Sequence, residues 1–189
     1  MDDKTLVIQI KRGNGHAFEF LVNKYQKLVF HMIWKMGVHA SDVEDVAQDI
    51  FIKIYQQIGT FREASKLSTW IASVAWRYSV DFMRKRHVYF VEYDEVSNEN
   101  ESHFAEDNFF SRLETEEKRE VISNAIALIP PKYQGLMNLF YTEEFTYEEI
   151  VDITGIPLGS VKSNLNRARA KVKEIVEKRY KKGLKIERV

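Results

Sequence analysis

The segment that decides the fold is Thr146-Tyr147-Glu148-Glu149, followed by Thr154-Gly155-Ile156-Pro157 and Leu158–Ile175. Thr146 and Glu149 have the spacing of a capping box, in which each side chain bonds the other residue's amide, so a short helix should begin there. Gly155 permits the left-handed backbone that ends a helix. Pro157 lacks an amide hydrogen and suits the first turn of the next helix. The pattern predicts a helix, a tight turn and a second helix.

The second helix of this pair has two unlike sides. At 100° per residue, one side is apolar and should face a core: Val161, Leu165, Ala168 and Val172. The opposite side collects Gly159, Ser163, Asn166, Arg167 and Ala170, flanked by Lys162 and Arg169. Hydrogen-bonding groups among small residues are typical of a helix that reads the major groove of DNA, although any surface helix is polar on its outer side.

The rest of the chain also has helical periodicity. From Ala17 to Arg86, apolar residues recur every three or four positions without a proline, and Ser41 and Glu44 predict a second capping box with a helix beginning at Asp42. Between Tyr93 and Asn108 acidic residues replace this pattern, which predicts a flexible linker. We expect an all-α protein of two small helical domains joined by an acidic linker, with a helix-turn-helix in the second domain.

The helix beginning at Asp42 has an unusual outer side. Its buried stripe should contain Val43, Val46, Ala47, Ile50, Phe51 and Ile54. The outer side then contains Asp45, Gln48, Asp49, Ile52 and Gln56. An isoleucine among acids and amides indicates a protein-binding face, although single exposed aliphatic residues are common.

A polar loop from Phe61 to Trp70 leads into a helix that should end at Arg86. Trp70, Ile71, Val74, Ala75, Tyr78 and Phe82 should face inward, whereas Trp76, Val80 and Met83 lie on the other side, beside Arg77 and Arg84. Basic residues interleaved with an aromatic side chain suit single-stranded DNA, because bases stack on rings while cations follow phosphates. Trp76 could equally complete a core.

The charge distribution and the absence of several motifs restrict the possible classes of function. The formal charge of zero conceals a net charge of −8 over residues 92–120 and +8 over residues 157–189, and the basic end suits DNA. Cysteine is absent, the five histidines lack metal-ligand spacing, and there is no P-loop, HExxH or GxSxG motif. We therefore expect no enzymatic activity, metal or cofactor. The amino terminus lacks a signal-peptide layout and no stretch is apolar enough to span a bilayer, so we expect a cytoplasmic protein without membrane insertion.

Both halves resemble the extracytoplasmic-function (ECF) sigma factors. The segment from Thr146 to Arg169 resembles their region four, a helix-turn-helix that reads the minus-35 element of promoters. The run Asp42–Phe51 resembles the region-two helix that docks on the clamp of the largest RNA polymerase subunit. Ser160, Asn164 and Arg77 depart from residues usual in the family, which are threonine, a basic residue and asparagine. These departures bear on promoter preference.

The resemblance implies a division into region two (1–92), an acidic linker (93–115), region four (116–182) and a basic tail (183–189). It implies polymerase binding by Asp45, Gln48, Asp49, Ile52 and Gln56. It implies minus-10 recognition by Phe61, Arg62, Ser65, Lys66, Ser68, Trp76, Arg77, Arg84 and Lys85. It implies minus-35 recognition by Ser160, Lys162, Ser163, Asn166, Arg167 and Arg169. The implied partners are core RNA polymerase, promoter DNA and an anti-sigma factor.

Two other classes of protein have some support. An ordinary helix-turn-helix regulator would bind operators as a dimer and use its first domain to sense a ligand, but only the second half of the chain favours this class. An adaptor would use the acidic linker and the docking helix to bind proteins without DNA, and the basic recognition helix argues against it.

Overall fold

The computed structural model describes residues 2–86 and 122–186, with the side chains of the second range described as far as Lys178. The described residues form helices and connecting turns without a strand, which confirms the all-α prediction. The first range contains α1 (Asp3–Lys11), α2 (Gly15–Lys35), α3 (Val43–Gln57) and α4 (Leu67–Lys85). The second contains α5 (122–126), α6 (Pro131–Met137) with a π turn (Asn138–Thr142), α7 (Tyr147–Thr154) and α8 (Leu158–Ile186). The predicted linker lies outside these residues.

The first helical unit packs α1 to α4 around an apolar centre. All six residues predicted for the inner stripe of α3 are buried. The predicted capping box at its start is wrong, however. The Ser41 hydroxyl lies 2.9 Å from Nδ1 of His39, and a short 3-10 turn (Ala40–Asp42) precedes α3, which begins at Val43 without a side-chain cap. Because Ser41 already has a partner in the preceding turn, it does not cap the helix.

The second helical unit contains the predicted helix-turn-helix. The Thr146 hydroxyl accepts a hydrogen bond from the Glu149 amide at 3.2 Å, and the Glu149 carboxylate accepts one from the Thr146 amide at 3.0 Å, so this capping box is confirmed. Gly155 ends α7 with φ 72°, in the left-handed region that favours glycine. The four apolar residues predicted to face inward from α8 are buried.

The two units pack against each other through α4. This helix contacts α2 and α3 on one side and α7 on the other, and the buried apolar residues of both units form one continuous cluster. Trp76 is 3% exposed, and a Cβ added at Gly135 of α6 would approach its Cζ3 atom to 2.8 Å. Trp76 therefore completes a core, which was the alternative to base stacking. Met83, which was expected on the outer side of α4, is also buried.

Candidate polymerase and nucleic-acid interfaces

The outer side of α3 forms a mixed acidic and apolar surface, the docking face. Its five predicted residues are all exposed, and Ile52 retains 47% of its accessible surface. Tyr55 lies about one turn further along, is 48% exposed and meets the ring of Phe18 edge-on at 4.9 Å. Sequence reasoning missed Tyr55, although its three-residue spacing from Ile52 could have indicated it. Together Ile52 and Tyr55 present an apolar patch beside the acids Asp45 and Asp49.

A hydrogen bond fixes the position of the docking face relative to α4. The Tyr78 hydroxyl donates to a carboxylate oxygen of Asp49 at 2.5 Å, and Lys53 lies over the Tyr78 ring at 5.5 Å from its centroid. Two causes raise the pKa of Tyr78 to about 12: burial, which is the larger, and the hydrogen bond to the Asp49 carboxylate. Tyr78 therefore remains a neutral donor at ordinary pH, and Asp49 is held in a defined orientation on the surface.

The loop before α4 is anchored from beneath. Phe61 is buried against Trp70, with ring centroids 5.8 Å apart, and its carbonyl accepts a hydrogen bond from Lys11 Nζ at 3.3 Å. Glu63 adopts a positive φ of 57° and pairs with Lys4 at 3.3 Å. Of the residues predicted for minus-10 recognition in this loop and the start of α4, Arg62 and Lys66 are exposed, whereas Ser65 and Ser68 are partly exposed. Phe61 belongs to the core.

The basic residues of α4 remain at the surface. Arg77 folds back on its own helix, where it donates to the carbonyl and the hydroxyl of Ser73, each at 3.0 Å. Arg84 pairs with Asp81 at 2.7 Å, and Lys85 is exposed. The structure thus brings Arg77, Arg84 and Lys85 to the solvent, but it covers the aromatic side chain of Trp76 on which a base would stack.

The predicted minus-10 loop also contacts the helix-turn-helix. Lys66 Nζ lies 3.0 Å from Glu149 Oε1, and the Thr69 hydroxyl donates to the same oxygen at 3.4 Å. Burial of Glu149 opposes its ionisation, but hydrogen bonds from the Thr146 amide and from Lys66 outweigh burial and lower its pKa below the ordinary value. Sequence reasoning assigned Glu149 only to the capping box. Its second role depends on how the two units pack, which local spacing does not specify.

The recognition side of α8, called here the recognition face, carries four of the six residues predicted for minus-35 DNA. Lys162 and Arg167 are exposed, and Ser163 and Asn166 are partly exposed. Lys162 lies 5.7 Å from the centroid of the Tyr147 ring. These four residues form two adjacent pairs that are four positions apart, so they project from one side of the helix and can approach base edges and phosphates together.

Ser160 and Asn164 lie on the inner side of α8. Ser160 is 7% exposed, and its carbonyl accepts hydrogen bonds from the Ser163 hydroxyl at 3.1 Å and from Asn164 Nδ2 at 2.7 Å. Asn164 is fully buried, and its Oδ1 atom has no hydrogen-bond partner among the residues that the structure describes. The departure from a basic residue at this position therefore lies in the interior of the unit and not on the recognition face.

Arg169 lies in a cluster of three aromatic rings. Its Nε donates to the Tyr141 hydroxyl at 2.6 Å and its Nη2 donates to the Tyr147 hydroxyl at 3.3 Å. Its guanidinium group also lies 5.5 Å from the centroid of Phe140, and its Nη1 donates to Asn166 at 2.7 Å. Arg169 thus joins α8 to the π turn and to α7. Sequence reasoning predicted its flanking position but missed these aromatic partners.

Comparison with known proteins identifies both helical units. The Sigma-70 region 2 family model matches residues 21–88, and the Sigma-70, region 4 model matches residues 119–172. The chain is 28% identical over 172 residues to the ECF RNA polymerase sigma factor SigW of Bacillus subtilis, with 88% of this chain and 92% of SigW covered. It is also 28% identical over 183 residues to the ECF RNA polymerase sigma-E factor of Escherichia coli K12, with 94% and 95% covered.

Two solved structures share the fold. CnrH, in complex with the cytosolic domain of CnrY, superimposes with a TM-score of 0.64 at 20% identity, covering 93% of this chain and 97% of CnrH. The sigma factor RpoE of Bartonella quintana, in complex with the anti-sigma factor NepR, superimposes with a TM-score of 0.61 at 19% identity, covering 85% and 96%.

The chain belongs to the extracytoplasmic-function sigma factors of the sigma-70 family. It is a transcription initiation factor that acts with RNA polymerase at promoter DNA. The matches to regions 2 and 4 together exclude the two other classes of protein considered above. Neither an ordinary helix-turn-helix regulator nor a DNA-independent adaptor contains this pair of regions. No helix in the described ranges is both long and apolar enough to cross a membrane.

Proposed function

We propose that each surface described above performs one step of promoter recognition. Residues 1–92 dock on core polymerase and read the minus-10 element, residues 116–182 read the minus-35 element, and residues 93–115 connect them, followed by the basic tail 183–189. The chain has an exposed docking face on α3 and, later in the sequence, an exposed recognition face on α8. This observation carries the proposal. Family matches to regions 2 and 4 support the same order.

The docking face is suited to a protein partner. Asp45, Gln48, Asp49, Ile52 and Gln56 are exposed, and Tyr55 extends the apolar part of the surface. An apolar centre with a polar rim is the usual composition of a protein interface. Because Asp45 and Asp49 contribute negative charge, the complementary surface on the polymerase should be basic with an apolar pocket for Ile52.

Minus-10 recognition would use the loop and the exposed basic side chains of α4. Arg62, Ser65, Lys66 and Ser68 would hold the backbone of an unstacked base, while Arg77, Arg84 and Lys85 would follow the phosphates. Phe61 supports the loop from the core, and Trp76 becomes available to a base only if the second unit leaves α4. Arg77 would have to release Ser73 in order to contact DNA.

Minus-35 recognition would use the recognition face. Arg167 and Asn166 have the groups that pair with guanine and adenine edges, while Lys162 and Ser163 suit phosphate oxygens. Ser160 contributes from within, because its carbonyl orients Ser163. Arg169 acts as a positioning residue, since its hydrogen bonds to Tyr141 and Tyr147 set the rotation of α8 about its own axis.

We propose in addition that an anti-sigma factor controls this chain and that the chain acts in the cytoplasm. CnrH was solved with the cytosolic domain of CnrY, and RpoE was solved with the anti-sigma factor NepR. The shared fold supports control of this chain by an anti-sigma factor. The absence of P-loop, HExxH and GxSxG motifs from the sequence supports a regulatory role without chemistry of its own, cofactor or metal. The cytosolic domain that CnrH binds supports a cytoplasmic location for this chain as well.

The test is selection of promoter DNA by the holoenzyme. Core polymerase reconstituted with the chain is incubated with a library randomised over both promoter elements, and the retained DNA is sequenced. The proposal expects two enriched elements at a fixed spacing, absent when core polymerase is used alone. Retention of DNA without enrichment over the core-alone sample would refute it.

A further inference from the structure

The amide of Asn166 on the recognition face is bonded to a neighbouring cation. Arg169, three residues further along α8, donates from Nη1 to Asn166 Oδ1 at 2.7 Å. A guanidinium group has five N–H donors and no acceptor, so the amide atom that faces it must be the oxygen. Because the two amide atoms point in different directions from their shared carbon, Nδ2 is turned away from Arg169.

Arg169 is itself held by aromatic residues outside α8. Its Nε donates to the Tyr141 hydroxyl at 2.6 Å, and its Nη2 donates to the Tyr147 hydroxyl at 3.3 Å. The guanidinium group also lies 5.5 Å from the ring centroid of Phe140. Three nitrogens with three different partners fix the plane of this group, which is rigid by its own bonding. Arg169 therefore sets the orientation of the Asn166 amide.

The donor end of Asn166 remains available to DNA. In the part of the chain that the structure describes, Nδ2 donates to no other residue, and Asn166 is partly exposed beside the exposed Arg167. An asparagine whose amide turns freely pairs with adenine at two points, donating to N7 and accepting from the N6 amino group. That pairing needs Oδ1, which Arg169 already occupies. Nδ2 is left to contact an acceptor.

We propose that Arg169 makes Asn166 a reader of hydrogen-bond acceptors, so that Asn166 selects guanine over adenine at the minus-35 base it contacts. This inference rests on the minus-35 function proposed above. Guanine presents two acceptors in the major groove, N7 and O6, whereas adenine presents the N7 acceptor and the N6 amino donor. Asn166 is the residue that touches the base, and Arg169 is a positioning residue that acts through it.

The charge of Arg169 favours the same base. Arginine stays protonated in proteins, so a positive charge lies within one hydrogen bond of Asn166 Oδ1. The second lone pair of Oδ1 would accept from adenine only by placing the partly positive N6 amino group beside this cation. Guanine O6 carries partial negative charge and is attracted to the same position. Hydrogen-bond geometry and electrostatics therefore both disfavour adenine.

The first test compares Asn166 with an acid of the same shape. Holoenzymes reconstituted from core polymerase and each full-length variant select DNA from a library randomised over the minus-35 element. The base pair at which Asn166→Ala relaxes the preference is the pair that Asn166 contacts. At that pair we expect the wild-type chain to enrich guanine over adenine by roughly fivefold or more, the lower limit for a good base contact. Asn166→Asp keeps an acceptor for Arg169 but has no donor, so this enrichment should be lost.

The second test releases the amide. Arg169→Met fills the space among the rings with a flexible apolar side chain that cannot donate to Oδ1. We expect the guanine-to-adenine ratio at the Asn166 pair to fall by roughly fivefold or more, because the amide can then turn towards adenine. Tyr141→Phe is the matched control, since it removes another hydrogen bond of Arg169 and leaves the bond to Asn166 in place. It should lower stability and keep the wild-type ratio, whereas a merely structural role of Arg169 would give both variants the same ratio.

Guanine enrichment that survives in Asn166→Asp or in Arg169→Met would overturn this inference, as would adenine enrichment by the wild-type chain at the Asn166 pair. An unchanged preference in Asn166→Ala would also overturn it, since Asn166 would then read no base. If Arg169→Met is too unstable to select DNA, Asn166→Asp decides alone, because it keeps the size of the side chain and a partner for Arg169. None of these results affects the enriched minus-35 element of the wild-type holoenzyme, whose absence would instead remove the proposed function.

Discussion

Arg169 Nε lies 2.6 Å from the Tyr141 hydroxyl, so the recognition helix is bonded to the π turn that precedes the helix-turn-helix. The two residues are far apart in sequence and belong to different elements. Because Arg169 also bonds Tyr147 at the start of α7, it fixes α8 relative to both neighbouring elements. Its place among aromatic rings makes it a structural link as well as a surface cation.

Substitution of Arg169 should therefore reduce stability and leave the salt dependence of DNA binding nearly unchanged. Tyr141→Phe, which removes only the accepting hydroxyl, should lower the free energy of unfolding by about 1 kcal/mol. Arg169→Ala should lower it further, because the cation–aromatic contacts are lost too. Denaturant unfolding measures both effects. If Arg169→Ala kept wild-type stability but lowered the salt slope by about one phosphate, Arg169 would be a backbone contact.

Arg167 should behave differently, since it is exposed on the recognition face. Arg167→Ala should cost about 1–3 kcal/mol of promoter affinity and relax the preference at one minus-35 base pair, as the loss of a bidentate guanine contact does. Sequencing of DNA selected by the variant and wild-type holoenzymes measures this preference. A uniform loss of affinity over all sequences would contradict the assignment and would mean that α8 is rotated differently on DNA.

Asn164 offers a test of the interior of α8. Asn164→Leu removes a fully buried amide whose Nδ2 donates to the Ser160 carbonyl and whose Oδ1 has no partner among the residues that the structure describes. Loss of the hydrogen bond and removal of the unsatisfied oxygen have opposite effects, so the free energy of unfolding should change by less than about 1 kcal/mol. Promoter preference should not change, because this side chain does not reach the recognition face. A loss of stability well above about 1 kcal/mol would show that Oδ1 is also satisfied in solution, for instance by a buried water molecule.

Local patterns predicted much of this arrangement. The inner stripes of α3 and α8 and the turn at Gly155 follow from helical periodicity and from the conformational freedom of glycine, which depend only on neighbouring residues. The docking face is the complement of the α3 stripe, so its exposure was predictable as well.

The environment of Trp76 and the double role of Glu149 could not be predicted, because they arise where two units meet. Periodicity shows which side of α4 is apolar enough to be buried, but Ser73 and Thr69 on its other side are polar, and only the packing of α7 explains their burial. The expected capping role of Ser41 failed for a related reason. His39, in the preceding turn, bonds the Ser41 hydroxyl, and the sequence spacing of a capping box does not show such a competing partner.

We predict that a substitution on the docking face lowers the affinity of the chain for core polymerase. Ile52→Lys should weaken binding to core polymerase by roughly three- to twelvefold, since burial of the exposed half of an isoleucine contributes about 0.75–1.5 kcal/mol. Helicity should be unchanged, because Ile52 is half exposed and lies outside the core. Leu128→Lys, at an exposed leucine of the second unit, is the control and should retain wild-type affinity. Fluorescence anisotropy of the labelled chain titrated with core polymerase measures both. Equal affinities of the two variants would contradict the docking face.

Run-off transcription tests most directly whether this chain directs RNA polymerase to promoters through two separate surfaces. Core polymerase, the chain and a linear template carrying the selected promoter should give a transcript of defined length. Ile52→Lys should reduce its yield on every promoter, whereas Arg167→Ala should reduce it on the selected promoter and make it insensitive to substitution of one minus-35 base pair. Absence of a defined transcript with the wild-type chain, despite measurable binding to core polymerase, would contradict the account.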